Sequence, residues 1–164
     1  MMNIKKIILI VALGAVGLGS LVWLYSWLSR PLPGVAVEDL GRNHVAVGTA
    51  VQYNSNPPTS GPHYAEWTRA GIYDEPIADG YLLHALEHGY VIFHYQDEAL
   101  KDELVKLVEE LNGQKLIVVA RPDLDTPLVL TAWGRIMPLD GIDEAQIRDF
   151  VGVFRNAGPE QTLE

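Results

Sequence analysis

An uninterrupted apolar run near the N-terminus is the most prominent hydrophobic pattern of the chain. Residues 7–28 contain no charged side chain, and Lys5 and Lys6 come directly before them. Because a helix rises about 1.5 Å per residue, this run is long enough to cross a hydrocarbon layer about 30 Å thick. It predicts a retained single-pass membrane anchor over residues 1–30. The N-terminus is expected on the cytoplasmic side of the cytoplasmic membrane, and the rest of the chain on the outer side, periplasmic or extracellular. A cleaved signal peptide is the alternative, although its apolar region normally spans only about 7–15 residues.

The C-terminal half has the periodicities of a domain that contains both helices and strands. Apolar residues recur at spacings of three and four over 98–111 and over 143–154, which predicts two amphipathic helices. Short apolar runs at 90–95, 116–120 and 128–133 predict strands. The fold class is therefore α+β, with a β-α-β-β-α layer. We expect the first two strands to be parallel through a right-handed crossover, and the second and third to be antiparallel.

Residues 35–79 have no comparable periodicity. Two prolines and a glycine within 31–40 predict a linker, and scattered valines predict a short strand or hairpin within 45–53. A loop rich in proline, serine and asparagine follows within 54–64. We expect a single domain over 41–160 whose N-terminal half is irregular, because such long irregular stretches usually carry function or are tied down by a bound group.

Composition narrows the chemistry that the chain can perform. There is no cysteine, the net charge is −9, and all 21 acidic residues lie from Glu38 onward. The lack of cysteine excludes disulfides, thiolate zinc sites, iron–sulfur clusters and cysteine nucleophiles. The acidic balance argues against nucleic acid as a partner, because phosphate binding requires clustered Lys and Arg. Histidines, carboxylates and aromatic side chains remain as the candidate functional groups.

Two of the five histidines lie in the string HALEH at 84–88, within a short helix predicted over 81–88. Helical residues three and four apart lie on neighbouring parts of one face, so both imidazoles and Glu87 can converge on one point. Imidazole nitrogens bind copper and zinc. Two more histidines, one at the end of the proline-rich loop, can complete such a site. The predicted metal ligands are His63, His84, His88 and His44.

Three further predictions concern the residues around this site. Glu87 is expected to orient one of the imidazoles without binding the metal itself. His94 lies among apolar residues of a predicted strand and is interpreted as a core histidine. Met137 and the two tryptophans Trp67 and Trp133 are interpreted mainly as packing residues.

Two other functions fit the same residues. In the first, the histidines are hydrogen-bonded without a metal, and the domain is a protein–protein interaction module. In the second, the H-x-x-E-H string serves a small metal-dependent hydrolase, as in inverted zinc peptidases, where the glutamate is the general base. The hydrolase is disfavoured because Gly89 and the strand that follows it leave little chain to build a substrate cleft.

Four motifs resemble one known family. They are NPPTSGPH at 56–63, GIY at 71–73, HALEHG at 84–89 and TAWGR at 131–135, and His44 and the segment 156–160 also match its positions. Over about residues 41–160 the chain resembles domain-of-unknown-function family 3105. The resemblance implies a bacterial or archaeal protein, often with one N-terminal membrane helix and an exported domain, and it implies no particular reaction.

The combined expectation is a membrane-anchored extracytoplasmic domain that binds copper or zinc through histidines. Metal handling, or an accessory role in a membrane protein complex, is the expected use of that metal. The residues favour a binding protein over an enzyme, and they assign no catalytic residue.

Overall fold

The computed structural model describes residues 3–160, except for the side chains of residues 7–11 and Trp27. Contacts divide the chain into two compact units, Met1–Leu32 and Pro33–Glu164.

The first unit contains one helix, α1, at Ile4–Leu28. Among the described residues, no helix combines the length and the apolar character needed to cross a membrane. The predicted transmembrane anchor is therefore wrong. The location outside the cytoplasmic membrane stays a prediction.

The second unit is an α+β domain, as predicted. Its described residues form one mixed sheet in the strand order β1-β6-β5-β3-β4-β2. The strands are β1 at Val35–Ala36, β2 at Gly71–Tyr73, β3 at Val91–Tyr95, β4 at Leu116–Ala120, β5 at Leu128–Ala132 and β6 at Arg135–Leu139. The helices are α2 at Asp79–Glu87, α3 at Lys101–Glu110 and α4 at Glu144–Phe154, and a 3-10 turn at Glu98–Leu100 precedes α3.

Strand pairing confirms both predicted strand directions. The β3 strand is parallel to β4, and α3 lies in the crossover between them. The β5 strand runs in the opposite direction but pairs with β3 rather than with β4. The predicted antiparallel direction of the second and third strands is thus confirmed, but they are not neighbours, because β2 occupies the other edge of β4.

Both faces of the sheet are covered, which explains why all five residues of β3 are buried. On one face, Phe93 packs with α3 and α4 residues such as Leu104 and Phe150. On the other face, Ile92 packs with Leu83 of α2 and its neighbours. Successive residues of a strand point to opposite faces, so β3 serves both cores. The histidine-bearing helix α2 is thus separated from α3 and α4 by the sheet.

Three strands were not predicted. The β6 strand was not recognised because it contains Pro138, and proline is rare inside strands. It pairs with β5 across the tight turn at Trp133–Gly134. The β1 and β2 strands are too short to produce a recognisable alternation. The predicted strand or hairpin within 45–53 is not formed. The irregular N-terminal half is confirmed.

The start of α2 also differs from the prediction. The helix begins at Asp79, and its N-cap is Ala78, which makes no side-chain capping bond. The carboxylate of Asp79 lies 2.6 Å from the guanidinium of Arg121. The predicted end is confirmed, because Gly89 follows the helix with a φ of +78°, a conformation that glycine adopts without strain.

The prediction that His94 is a core residue is confirmed. Its side chain is buried, and its Nε2 lies 3.0 Å from the hydroxyl of Thr131. Burial lowers the pKa of His94 well below 6.5, and the charge of Arg121 lowers it further. The unfolded chain therefore takes up a proton before the folded chain does. The stability that neutral His94 contributes is present above about pH 6.5 and is lost as the pH falls below it.

We expect His94→Ala to lower the free energy of unfolding by about 1–3 kcal/mol, because the buried Thr131 hydroxyl loses its partner. The substitution should also reduce the loss of stability between pH 6.5 and pH 5. Urea denaturation of both proteins at several pH values measures both effects. A variant whose stability falls as steeply with pH as that of the unsubstituted chain would show that His94 does not control this dependence.

Candidate metal centre

Backbone hydrogen bonds place the irregular segment around His44 beside the loop that ends at His63. The N–H of His63 donates to the carbonyl of Asn43 at 3.0 Å, and the N–H of Val45 donates to the carbonyl of His63 at 2.8 Å. These two bonds alternate as in a pair of parallel strands, and an isolated bridge joins His44 to His63. The two imidazoles are therefore held beside each other without a regular strand.

Tyr64 fastens the same loop to α2. Its N–H donates to the carbonyl of Gly80 at 3.2 Å, and its carbonyl lies 2.8 Å from the Nδ1 of His84. The Tyr64 ring covers Gly80 so closely that a Cβ added there would lie 2.7 Å from it. A glycine in the first turn of α2 thus allows the loop to approach the helix that carries His84.

Three imidazoles form a nearly equilateral triangle. Their ring centroids are 5.1 Å apart for His44 and His63, 4.9 Å for His44 and His84, and 5.1 Å for His63 and His84. One ligand atom from each ring and one carboxylate oxygen of Glu87 all lie within 4.8 Å of one another. His44 is exposed and the other three are buried. These four residues, which we call the histidine–glutamate group, could hold a metal ion.

Backbone carbonyls fix the protonation pattern of two of these rings. The Nδ1 of His63 lies 2.8 Å from the carbonyl of Gly61, and the Nδ1 of His84 lies 2.8 Å from that of Tyr64. A carbonyl oxygen only accepts, so Nδ1 carries the proton in both rings. The Nε2 of each neutral ring then keeps its lone pair, which is the form in which imidazole binds metals.

The Nε2 of His63 lies 2.8 Å from the Oε2 of Glu87, and both side chains are buried. A lone pair and a carboxylate oxygen repel each other at this distance, so a proton or a cation is required between them. The other oxygen of Glu87 is 3.6 Å from the Nη1 of Arg42. Since a buried carboxylate is costly without compensation, positive charge is stabilised at the point where Glu87 and His63 meet.

Burial lowers the pKa of His84 below 6.5, and the neighbouring His88, His63 and His44 lower it further. The hydrogen bond to the Tyr64 carbonyl opposes this shift, and the net direction remains downward. His84 is therefore neutral at pH 7. No deprotonation cost opposes the binding of a cation to it at that pH.

His88 is not a member of the histidine–glutamate group. Its ring centroid lies 4.6 Å from that of His84 and 5.0 Å from that of Trp67, and its buried Nδ1 has no hydrogen-bond partner among the described residues. The i, i+4 spacing does bring the rings of His84 and His88 together. It does not direct both toward the point that His44 and His63 share.

Two tryptophans flank the group. The ring of Trp133 lies 6.1 Å from that of His63, and the ring of Trp67 lies 5.3 Å from that of His84. Both also pack against the apolar core on the α2 face of the sheet. They therefore have the predicted packing role and also border the site.

Sequence reasoning missed three contributors to the site. Arg42 was not singled out, although its position two residues before a candidate ligand was a usable signal. The carbonyls of Gly61 and Tyr64 could not have been found, because every residue has a carbonyl and only the fold aims these two at imidazole nitrogens.

The resemblance to a known family is confirmed by comparison with family models. The family described as Protein of unknown function (DUF3105) matches residues 44–164. The chain belongs to this family. No curated protein and no solved structure matches the chain. The matched part of the DUF3105 domain contains all four residues of the histidine–glutamate group.

The last described residues of the DUF3105 domain hold the C-terminal end of α2. The N–H of Glu160 donates to the carbonyl of Glu87 at 3.0 Å, and the N–H of Asn156 donates to that of Gly89 at 2.8 Å. A Cβ added to Gly158 would lie 2.2 Å from the carbonyl oxygen of Glu87 and 2.3 Å from the nitrogen of Gly89. The segment 156–160 thus satisfies carbonyls that a helix end leaves without partners, and it fixes the backbone of Glu87.

We expect Gly158→Ala to lower the free energy of unfolding by about 1–3 kcal/mol, because the added methyl group forces the C-terminal segment away from Glu87. Gly152→Ala is the matched control. Gly152 lies inside α4 with no heavy atom within 4 Å of an added Cβ. That substitution should stabilise by about 0.5–1 kcal/mol. Chemical denaturation measures both, and equal effects at the two positions would contradict the described packing of Gly158.

Proposed function

We propose that this DUF3105 domain binds a divalent transition metal, zinc or copper(II), through His44, His63, His84 and Glu87. The contact between the Nε2 of His63 and the Oε2 of Glu87 carries the proposal, because two acceptors 2.8 Å apart require a positive charge between them. The Gly61 carbonyl already accepts the proton on the other nitrogen of His63. A metal ion placed among the four donor atoms would satisfy all of them.

The donor set favours zinc or copper(II) over copper(I). Imidazole nitrogens and a carboxylate oxygen suit divalent ions, whereas copper(I) prefers thiolate and thioether sulfur. The chain has no cysteine. Met137 is buried in the core formed with α3 and α4, on the sheet face opposite α2. A sulfur ligand from this residue is therefore not part of the proposal.

We propose that Glu87 binds the metal directly. The alternative is that Glu87 accepts a hydrogen bond from an imidazole and does not bind the metal. A supporting partner accepts a hydrogen bond from the nitrogen that does not bind the metal. For His63 and His84, the carbonyls of Gly61 and Tyr64 are placed to do this. Glu87 faces the Nε2 of His63, which is the side on which an ion would bind. His88 is left out of the proposed ligand set.

A binding role is better supported than hydrolysis. Four protein donors fill the tetrahedral coordination typical of closed zinc sites, whereas catalytic zinc keeps one position for water. A hydrolase using the H-x-x-E-H string would need both histidines of that string on the metal. His88 stands outside the group, and the exposed His44 offers a route by which metal enters or leaves. We infer that the domain holds or transfers metal.

A metal-free interaction module is the competing function. The same contact is also compatible with a metal-free domain. A proton on the Nε2 of His63 would convert it into a buried imidazolium–carboxylate pair, with Arg42 beside it. Metal analysis separates the two functions. A tag-free full chain that retains neither zinc nor copper after exposure to each ion would support the interaction module.

We expect His63→Ala and His84→Ala each to remove most of the bound metal, and the double substitution to add little, because the ligands of one ion act as a unit. Glu87→Gln should weaken binding by more than about 100-fold, the largest loss typical of a supporting residue. Elemental analysis and calorimetric titration with zinc or copper(II) give these values.

His94→Ala is the matched control, because His94 lies in the core and outside the histidine–glutamate group. It should keep the metal stoichiometry of the unsubstituted chain. His88→Ala should also retain its metal. Loss of metal in His94→Ala or His88→Ala, with retention in His63→Ala, would contradict the ligand assignment.

We expect bound metal to be lost as the pH falls from about 7 to about 5. Protons compete for the imidazole nitrogens, and the lowered pKa of His84 delays but does not prevent this competition. The measurement is the difference in Tm between metal-loaded and metal-free chain at each pH. This difference isolates the metal from the pH dependence that His94 causes in both forms. A difference that stays constant down to pH 5 would argue against histidine ligation.

A further inference from the structure

We propose that the metal-loaded site binds a small carboxylate or similar oxyanion between the metal and Arg42. This inference rests on the proposed metal function and adds a ligand to it. It starts from the position of Arg42, whose side chain is 55% exposed and whose Nη1 lies 3.6 Å from the Oε1 of Glu87.

The fold places Arg42 and His44 at the same entrance. The hydrogen bonds to residue 63 hold the segment 43–45 in the alternating manner of a strand, in which residues two apart point to the same side. His44 is the exposed member of the histidine–glutamate group, so a metal is reached from its side. The half-exposed guanidinium therefore stands beside the path by which a solute would approach the ion.

Metal binding would leave the positive charge of Arg42 without its acidic partner, because Glu87 would then bind the metal. In the metal-free site, Glu87 is the acidic partner that the described structure provides for this guanidinium. Three neutral imidazoles leave the charge of a divalent ion opposed by Glu87 alone. Ion and carboxylate together then carry a net positive charge, and Arg42 adds a second one. The excess is local, because the whole chain has a net charge of −9.

Asp39, three residues before Arg42, accepts from the indole of Trp133 at 3.2 Å and from the N–H of Gly41 at 2.8 Å. Its hydrogen bonds are thus directed to groups other than Arg42, and an external anion at the entrance would add compensation for the local positive charge. A guanidinium presents paired N–H donors whose geometry matches a carboxylate. The anion would pair with the guanidinium of Arg42 and lie beside the metal without becoming one of its ligands.

Fluoroacetate is a suitable probe, because its ¹⁹F signal reports weak binding to the zinc-loaded full chain. We expect a saturable change of that signal in the zinc-loaded chain and none in the metal-free chain. Arg42→Gln should retain zinc and weaken fluoroacetate binding by about 10-fold or more, as expected for a lost charge-assisted hydrogen bond. Arg42→Lys should weaken it less, because it keeps the charge without the paired donors.

Arg69→Gln is the matched control, since it removes an equal charge from an exposed position outside the histidine–glutamate group. It should leave the affinity unchanged. Equal affinity in zinc-loaded Arg42→Gln and unsubstituted chain, or the same binding without zinc, would overturn this inference and leave the metal function intact. A chain that takes up no metal would overturn the metal function and this inference together.

Discussion

The contact between the Nε2 of His63 and the Oε2 of Glu87, at 2.8 Å, is the interaction on which the site depends. Both groups are removed from water, so neither can be satisfied by solvent. A buried carboxylate without compensation would be far more costly than any neighbouring apolar contact could offset. The surrounding structure therefore has to deliver positive charge to this point, whether from a proton or from a metal ion. Arg42 supplies only part of it from the solvent side.

The remaining polar groups prepare the same point without occupying it. The carbonyls of Gly61 and Tyr64 accept the Nδ1 protons of two imidazoles and thereby direct the opposite nitrogens inward. Neither carbonyl belongs to a regular element, yet each is held by its loop's hydrogen bonds to a neighbouring segment. An irregular backbone is useful here because the carbonyls of helices and sheets are already engaged with one another. The carbonyls of the loops are free of such pairing and can accept hydrogen bonds from side chains.

Much of the fold was predictable from hydrophobic periodicity. The strands β3, β4 and β5 and the helices α3 and α4 follow from apolar spacing, because each buries a long and regular pattern. The β6 strand could not be recognised, since Pro138 lies within it and its place is set by pairing with β5. The anchor was predicted from the missing charges of residues 7–28 and was wrong.

The candidate site was predictable in its residue types but not in its geometry. The helical spacing of His84 and His88 does bring their rings together, yet the second ring lies outside the group. His63 and His44 were also predicted as ligands, but their place beside each other is set by the pairing of two irregular segments. Such pairing leaves no periodic pattern in the sequence. The supporting role expected for Glu87 stays a prediction. The Gly61 carbonyl lies 2.8 Å from the Nδ1 of His63, and this position could be found only from the fold.

The origin of the four donors also determines what a metal would do for stability. They come from three segments: the stretch around His44, the loop ending at His63, and α2. An ion there would cross-link these segments in a chain that has no disulfides. The same segments are already joined by backbone hydrogen bonds and by the packing of Tyr64 on Gly80. Binding therefore has little chain left to order, unlike in zinc fingers, which are unfolded without their metal. The ion would stabilise a preformed domain according to its free concentration relative to its dissociation constant.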